Sequence, residues 1–376
     1  MAIYDRYLSV LFFRVLFVLF SALCGLFMIV DFFDRLEEFI DIAESEGTVA
    51  SVAFEFYTPR VLSFFDRTSG LIALIAAVFV ITWIQRNREL IAIYAAGIDT
   101  RRVMRPIVFC VIGVAVFGVV NRELLIPKYK DRLVRDTRNW FGKDEINVRP
   151  TYDRMTGVFL NGKGAVLAEN EILSPNIQLP STMNAPFDRL VAEKGQYLPA
   201  GKDRPAGYLL TGVSIPQDVN QYSDIMADSK PLVITPKNAA WLESDSCFLA
   251  SRITVLDLTK KDANAVYSST VELVKDFKNP SRNYDSTSRV LVHSRLVQPI
   301  LDISLLFIGI PLVLNNRARN VFVSIGLNIL LVVFYFLIQL VTHTLGTEGF
   351  VSPELAAWMP IFIFVPMAYA GISRIH

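Results

Sequence analysis

Leu71-Ile-Ala-Leu-Ile-Ala-Ala-Val-Phe-Val-Ile-Thr-Trp-Ile-Gln85 carries no charge, and Arg86-Asn-Arg88 closes it abruptly. Traced back to Val61 the apolar run is broken only by Asp66 and Arg67 near its far end. A helix crosses the roughly 30 Å of bilayer hydrocarbon with about 20 mostly apolar residues. Val61–Gln85 therefore predicts a transmembrane span. Beyond it the chain reads Arg88-Glu-Leu-Ile-Ala-Ile-Tyr-Ala-Ala-Gly-Ile98, a short amphipathic stretch rather than a return into lipid. A span that delivers a small helix onto its basic side sets the frame for the rest of the chain.

Five other segments meet the same test: Leu8–Val30, Arg105–Val120, Val290–Leu314, Val321–His343 and Pro353–Ile372. The third span, Arg105–Val120, is short, and its pattern can extend through Val103 at one end and Leu125 at the other. Of the 376 residues 52% are hydrophobic and 19% charged, below the roughly one quarter usual in soluble domains. The apolar residues concentrate in two terminal blocks around a polar middle. Leu8–Val30 is too long for a signal-peptide core, carries Arg14 and has no small-residue cleavage site after it. A formal net charge of +1 excludes a strongly basic nucleic-acid binder and an acidic disordered tail.

Short loops rich in Lys and Arg stay on the cytoplasmic side. Arg86, Arg88, Arg101, Arg102 and Arg105 lie between spans two and three, Arg317 and Arg319 between four and five, and Arg374 after six. Opposite them are Asp31, Asp34, Glu37, Glu38, Asp41, Glu44 and Glu46 after span one, with Glu348 and Glu354 before span six. Both termini are thus expected in the cytoplasm, and the polar middle outside, in the periplasm of a two-membrane bacterium. The fold class expected is an α-helical membrane protein of six transmembrane helices, arranged 3+3, with an inserted all-β domain. Its parts are residues 1–127 with spans one to three, 128–288 outside, and 289–376 with spans four to six.

The inserted domain shows short apolar runs at Val158–Leu160, Ala165–Ala168, Tyr208–Val213, Leu232–Thr235 and Cys247–Leu258, punctuated by Gly and Pro. That spacing reads as strands of a sandwich or related all-β domain. Polar helical linkers are expected at Lys128–Phe141 and about Ser268–Lys278. The apolar runs are read as sandwich core, or else as the lining of a groove for acyl chains. Cys24 and Cys110 sit in apolar runs and Cys247 stands alone, so no disulfide is available within the domain.

Catalytic constellations are missing from the sequence. His293, His343 and His376 lack metal-ligand spacing to one another or to Cys or carboxylate pairs. Gly201-Lys202 is followed by Asp203 instead of Ser or Thr, so it is no phosphate-cradling loop. No cofactor is expected in this chain, and ATP and magnesium would belong to a separate ATPase.

Within Arg88–Gly97, Glu89, Leu90, Ile93 and Tyr94 fall at helical spacing and Gly97 is a natural stop. Such a helix either lies in the membrane interface or acts as a lever inserted into a cytoplasmic partner. Here the chain resembles the LptF/LptG (YjgP/YjgQ) permease family. The resemblance rests on Asp5-Arg-Tyr7, Arg88-Glu-Leu90 through Ala95-Ala-Gly97, Asn121-Arg-Glu-Leu-Leu-Ile-Pro127, and His293-Ser-Arg-Leu-Val-Gln-Pro299 with Gly309-Ile-Pro311. Together they follow the six-span layout in order, and the Asp-Arg-Tyr start leans towards LptG.

That resemblance implies half of a lipopolysaccharide-export ABC transporter. Two such permeases would pair over an LptB-type ATPase dimer, with gates at spans one and five. Lipopolysaccharide would leave the outer leaflet of the inner membrane for periplasmic β-jellyroll domains, LptC and LptA. Residues 121–289 would be this chain's jellyroll, and Arg88, Glu89, Leu90, Ile93, Tyr94 and Gly97 its ATPase-coupling residues. The chain departs from the pattern at Asp34-Arg-Leu-Glu-Glu38, where LptG-type members often carry lysines and only Arg35 is cationic.

A charge at mid-bilayer costs about 2.5 kcal/mol or more, so buried charges mark cavities or partners. Arg295 and Asp302 are seven apart, on one face of span four. They either hold the bundle together or serve substrate, Arg295 meeting a lipid phosphate and Asp302 orienting it or a neighbouring helix. Arg35 and Arg67 join them as candidate substrate-binding residues; Arg67 and Arg289, at the same membrane depth as Arg295, are weaker candidates because both can reach water easily. Arg14, roughly 9 Å into span one, either snorkels to the cytoplasmic interface or serves the cavity. Two other functions fit: an ion-coupled secondary transporter of a lipid or amphiphile with Asp302 and Arg295 as relay, and a membrane-anchored envelope assembly factor.

Overall fold

The computed structural model describes residues 2–134, 137, 144–181, 185–201, 204–227, 230–278, 281, 286–314 and 321–373. The chain forms two compact units, Met1–Tyr129 with Asp285–His376, and Lys130–Tyr284.

The helical unit opens with α1 (Ala2–Asp34), α2 (Leu36–Glu46), α3 (Val49–Arg86), α4 (Glu89–Ala95) and α5 (Thr100–Val120). The acidic segment after the first span is thus a helix. Its Phe39 is fully buried against Phe32, Phe56 and Tyr57, with ring centroids 5.4, 5.2 and 5.9 Å away. The second span starts at Val49, well before Val61. Thr48 Oγ1 accepts from the Ser51 amide and Ser51 Oγ from the Thr48 amide, both at 3.3 Å, satisfying donors that a helix start leaves unpaired. At 38 residues α3 is about 57 Å long, nearly twice the hydrocarbon thickness. Hydropathy marks only the part of it that lipid requires. Beyond Val120 the helix widens into a π turn, Asn121–Leu125, and tightens through Ile126–Tyr129. Asn121 is fully buried at that turn and its Nδ2 donates to the Leu62 carbonyl at 2.9 Å.

The second unit begins with α6 (Lys130–Val134), part of the expected first linker; 135–136 and 138–141 lie outside the described residues. Ten strands come next: β1 (Thr151–Tyr152), β2 (Phe159–Asn161), β3 (Gly164–Val166), β4 (Glu171–Leu173), β5 (Asn176–Gln178), β6 (Arg189–Leu198), β7 (Gly207–Ile215), β8 (Ile225–Ala227), β9 (Lys230–Ile234) and β10 (Cys247–Ala250). Every pairing is antiparallel, in the order β1-β2-β5-β6-β7-β10-β9-β8, with β4 pairing both β3 and β6. The long β6 takes β5 at Arg189–Val191 and β4 at Lys194–Gln196 along one edge, while β7 runs along the other. Its Glu193-Lys194-Gly195 hid it from the apolar pattern, since both long side chains are exposed. Val158, Leu160, Ala165, Leu210, Leu232 and Cys247 share one buried core. Cys247–Leu258, read as one strand run, divides instead. The strand ends at Ala250, and α7 (Val255–Tyr267) begins after a Thr254–Asp257 capping box, which turns the apolar residues from a two- to a 3.6-residue period. α8 (Thr270–Asp276) is the second linker, capped by Ser269 and Glu272.

The helical unit resumes with α9 (Ser286–Leu314), α10 (Val321–Thr347) and α11 (Pro353–Ile372). Among the described residues six helices, α1, α3, α5, α9, α10 and α11, are long and apolar enough to cross a membrane. Arg317, Arg319 and Arg374 lie outside the described residues. Between helices in lipid, small residues set how closely backbones approach. Ala73, Ala76 and Ala77 of α3 are buried in the core it shares with α5 and α9, and a Cβ on Gly309 of α9 would strike Leu74 and Asn328. Two helices stand apart: α1 leaves Phe17, Leu26 and Ile29 exposed, and α10 leaves Leu330, Leu337 and Leu340.

Candidate functional site

Two constellations in the helical unit gather the expected residues. The first is α4. Arg88 is not within it but precedes it in the left-handed region, φ 60°, turning the chain out of α3. Gly97, φ 73°, ends it. The Ile98 amide donates to the Ile93 carbonyl at 3.2 Å and the Gly97 amide to Tyr94 at 2.9 Å, the paired bonds of a Schellman stop.

The two faces of α4 differ. Leu90 is 5% exposed within the bundle core, and Ile93 and Ile98 pack against the same core. Leu90, expected among the ATPase-coupling residues, thus anchors α4 to the bundle. Ile91 and Tyr94 face outward, 65% and 45% exposed. Glu89 is half-buried, and Tyr7 Oη of α1 donates to its Oε1 at 3.4 Å. Thr100 Oγ1 of α5 donates to Tyr94 Oη at 3.2 Å. The helix is held to α1 and α5 as well as to α3. Sequence reading named Tyr7 only within the Asp5-Arg-Tyr7 motif and did not single out Ile91 or Thr100. Ile91 could have been found, being an apolar residue about 100° around the helix from Leu90 and about 160° from Ile93. The Tyr7 and Thr100 contacts depend on packing between spans and left no local signal.

The second constellation lies where α3, the end of α5 and α9 meet. Arg122 Nε donates to Asp66 Oδ1 at 2.8 Å. Arg295, 8% exposed, is within electrostatic reach of Arg122, Glu123 and Asp66. Arg67, next to Asp66, is exposed. Asp302 has different company. Gln298 Nε2 donates to Asp302 Oδ1 at 2.9 Å and lies 3.2 Å from Tyr335 Oη, to which Gln339 Nε2 donates at 2.7 Å. This chain of polar groups ties α9 to α10. Gly70 of α3 makes room for it, since a Cβ there would run into the Asp302 carboxylate. Arg122, Gln298, Tyr335 and Gln339 were not singled out from sequence. Seven-residue spacing marked the face of α9, but the partner helices could be identified only by packing.

Arg35 stands away from both. Its Nε donates to Asp31 Oδ1 at 3.0 Å and its Nη1 is 3.7 Å from Glu38, while Tyr57 Oη donates to the other Asp31 oxygen at 2.9 Å. Two carboxylates offset the one cation of the Asp34–Glu38 stretch, so it joins α1, α2 and α3 and offers little net charge to a phosphate.

No curated protein matches the chain. The family model described as lipopolysaccharide export system permease LptF/LptG matches residues 6–165 and 246–374, which takes in all six membrane-length helices and both ends of the β domain.

Proposed function

The chain belongs to the LptF/LptG family of lipopolysaccharide export permeases, multi-pass proteins of the inner membrane, and from that premise we propose that it is one permease half of an ATP-driven lipopolysaccharide exporter. The family is one of permeases, not of enzymes. A second LptF/LptG-type permease completes the pair, an LptB-type dimer binds ATP with magnesium, and LptC- and LptA-type jellyroll proteins receive the lipid. The arginine-bearing loops and both termini face the cytoplasm, and the β domain faces the periplasm.

The observation that carries this reading is α4: a short helix with a glycine stop whose Leu90 is sunk in the bundle while Ile91 and Tyr94 stay exposed. An exposed apolar pair suits insertion into a partner's groove, with Glu89 a further candidate contact on another side of the helix. Movement of α4 reaches α1 directly through Tyr7–Glu89, and the exposed apolar faces of α1 and α10 suit gates that open toward lipid. Arg295, with Arg67 and Arg122 nearby, supplies cations for a phosphorylated headgroup at the far end of the bundle.

The test is affinity purification from the native cells in mild detergent, with mass spectrometry of the proteins and lipids retained. Wild type should bring down an ABC ATPase, a second six-span permease and a lipid-A-bearing glycolipid. Ile91→Asp should lose the ATPase alone, and Glu89→Ala should weaken its retention or its coupling. Recovery of the chain alone would remove the ATPase-driven reading. An ion-coupled transporter is the second reading, drawn from the buried Asp302–Gln298–Tyr335–Gln339 chain. Transport that follows the proton gradient and ignores vanadate would favour it.

A further inference from the structure

Helix α5 enters the bundle behind three arginines and splits the adjoining surface into two grooves. The first, about 550 Å³, runs between α5 and α1 past Asp5, Phe13, Arg102, Arg105, Phe109 and Gly113. The second, about 370 Å³, runs between α5 and the α9–α11 pair past Arg101, Arg105, Phe109, Phe307, Ile310 and Ile372. Both volumes fall in the range of small-molecule sites. The grooves share Arg105 at the mouth and Phe109 as the ridge between them. Phe109 is one turn deeper than Arg105 and 71% exposed.

The geometry points to a binding site for one diacyl anionic phospholipid, its phosphate at Arg105 and one acyl chain on each side of Phe109. A single anchoring charge with two apolar channels diverging from it matches a lipid with one phosphate and two chains. The charge matches too. Arg102 and Arg105 outnumber Asp5 in the lining of the first groove, and guanidinium groups bind phosphate oxygens in a fixed fork. Basic pockets between membrane helices on the cytoplasmic side are a recurrent way of holding anionic headgroups. Depth is consistent: Arg105 lies about 7 Å into α5 and Gly113 about 20 Å, the span of a headgroup and the upper part of a chain. This site is at the end of the bundle opposite the Asp66–Arg122–Arg295 cluster. It rests on the orientation proposed above only for the leaflet that supplies the lipid, so failure to recover an ATPase would leave it standing.

The experiment uses the full chain in mild detergent, mixed with phosphatidylglycerol or with phosphatidylcholine of the same acyl chains, and counts retained lipid by native mass spectrometry. Phosphatidylglycerol should be retained about tenfold over phosphatidylcholine, and Arg102→Gln with Arg105→Gln should remove that preference. The second variant is Gly113→Phe. A Cβ at Gly113 meets nothing within 4 Å, so the ring fills the first groove without disturbing the helices. It should cut retention of the two-chain lipid about tenfold and spare single-chain lysophosphatidylglycerol, which needs one groove. Equal retention of the two headgroups would overturn the site. So would loss on arginine substitution with no response to Gly113→Phe, which would mean general attraction to a basic surface. A disulfide between Cys introduced at Phe109 and a second protein chain would overturn it as well, by showing that protein covers the ridge.

Discussion

Arg122 and Asp66 meet at 2.8 Å with side chains 16% and 19% exposed, and removing one partner leaves the other charge poorly solvated. Arg122→Ala should therefore destabilise the folded chain by about 3 kcal/mol, with Asp66→Ala added to it recovering part of the loss, as read by chemical denaturation in detergent. In the β domain, burial pushes the Cys247 thiol up to about 12. Alkylation needs the thiolate, and a raised value means almost none at pH 8. Cys247 should resist maleimide in the folded domain at pH 8 and react once denatured; prompt labelling of the native protein would contradict its place in the core. Residue identity was legible where chemistry is costly: Asp302 and Arg295 stand out because charges in a membrane helix need a reason. Their partners were not, because Gln298, Tyr335 and Arg122 are ordinary residues until the helices that carry them are brought together.

At the scale of elements, the two ends of α4 are under different control. Gly97 holds φ 73°, which a β-branched residue adopts only at about 1–2 kcal/mol. Gly97→Val should loosen the end of the lever while Leu90 keeps its start in place, so ATPase retention should fall with little change in overall thermal stability. Thr48→Ala should cost about 1 kcal/mol and fray α3 locally, seen as faster hydrogen exchange over residues 49–56 with the deeper part of α3 unchanged. Hydropathy located all six spans because lipid demands long apolar runs, and it located Pro353–Ile372 to the residue because a Ser352 cap and Pro353 mark the start. It could not show that α3 continues to Val49 or that Leu36–Glu46 is helical, since neither stretch need be apolar. β6 escaped for the converse reason: pairing on both edges holds its backbone, and its exposed side chains are free to be polar.

For the whole molecule, a unit with six membrane-length helices among the described residues and an antiparallel β unit lie in one chain of the LptF/LptG family, and the proposed function puts the work of export on the helices. The central claim is that lipopolysaccharide moves through this chain's helices under the drive of a separate ATPase acting on α4. The most direct test is reconstitution of the purified assembly in liposomes loaded with lipopolysaccharide, following its transfer to a periplasmic acceptor. The account predicts transfer that requires ATP, stops with vanadate, and falls at least about tenfold with Ile91→Asp. Transfer that proceeds without ATP, persists in vanadate and follows an imposed proton gradient would contradict it.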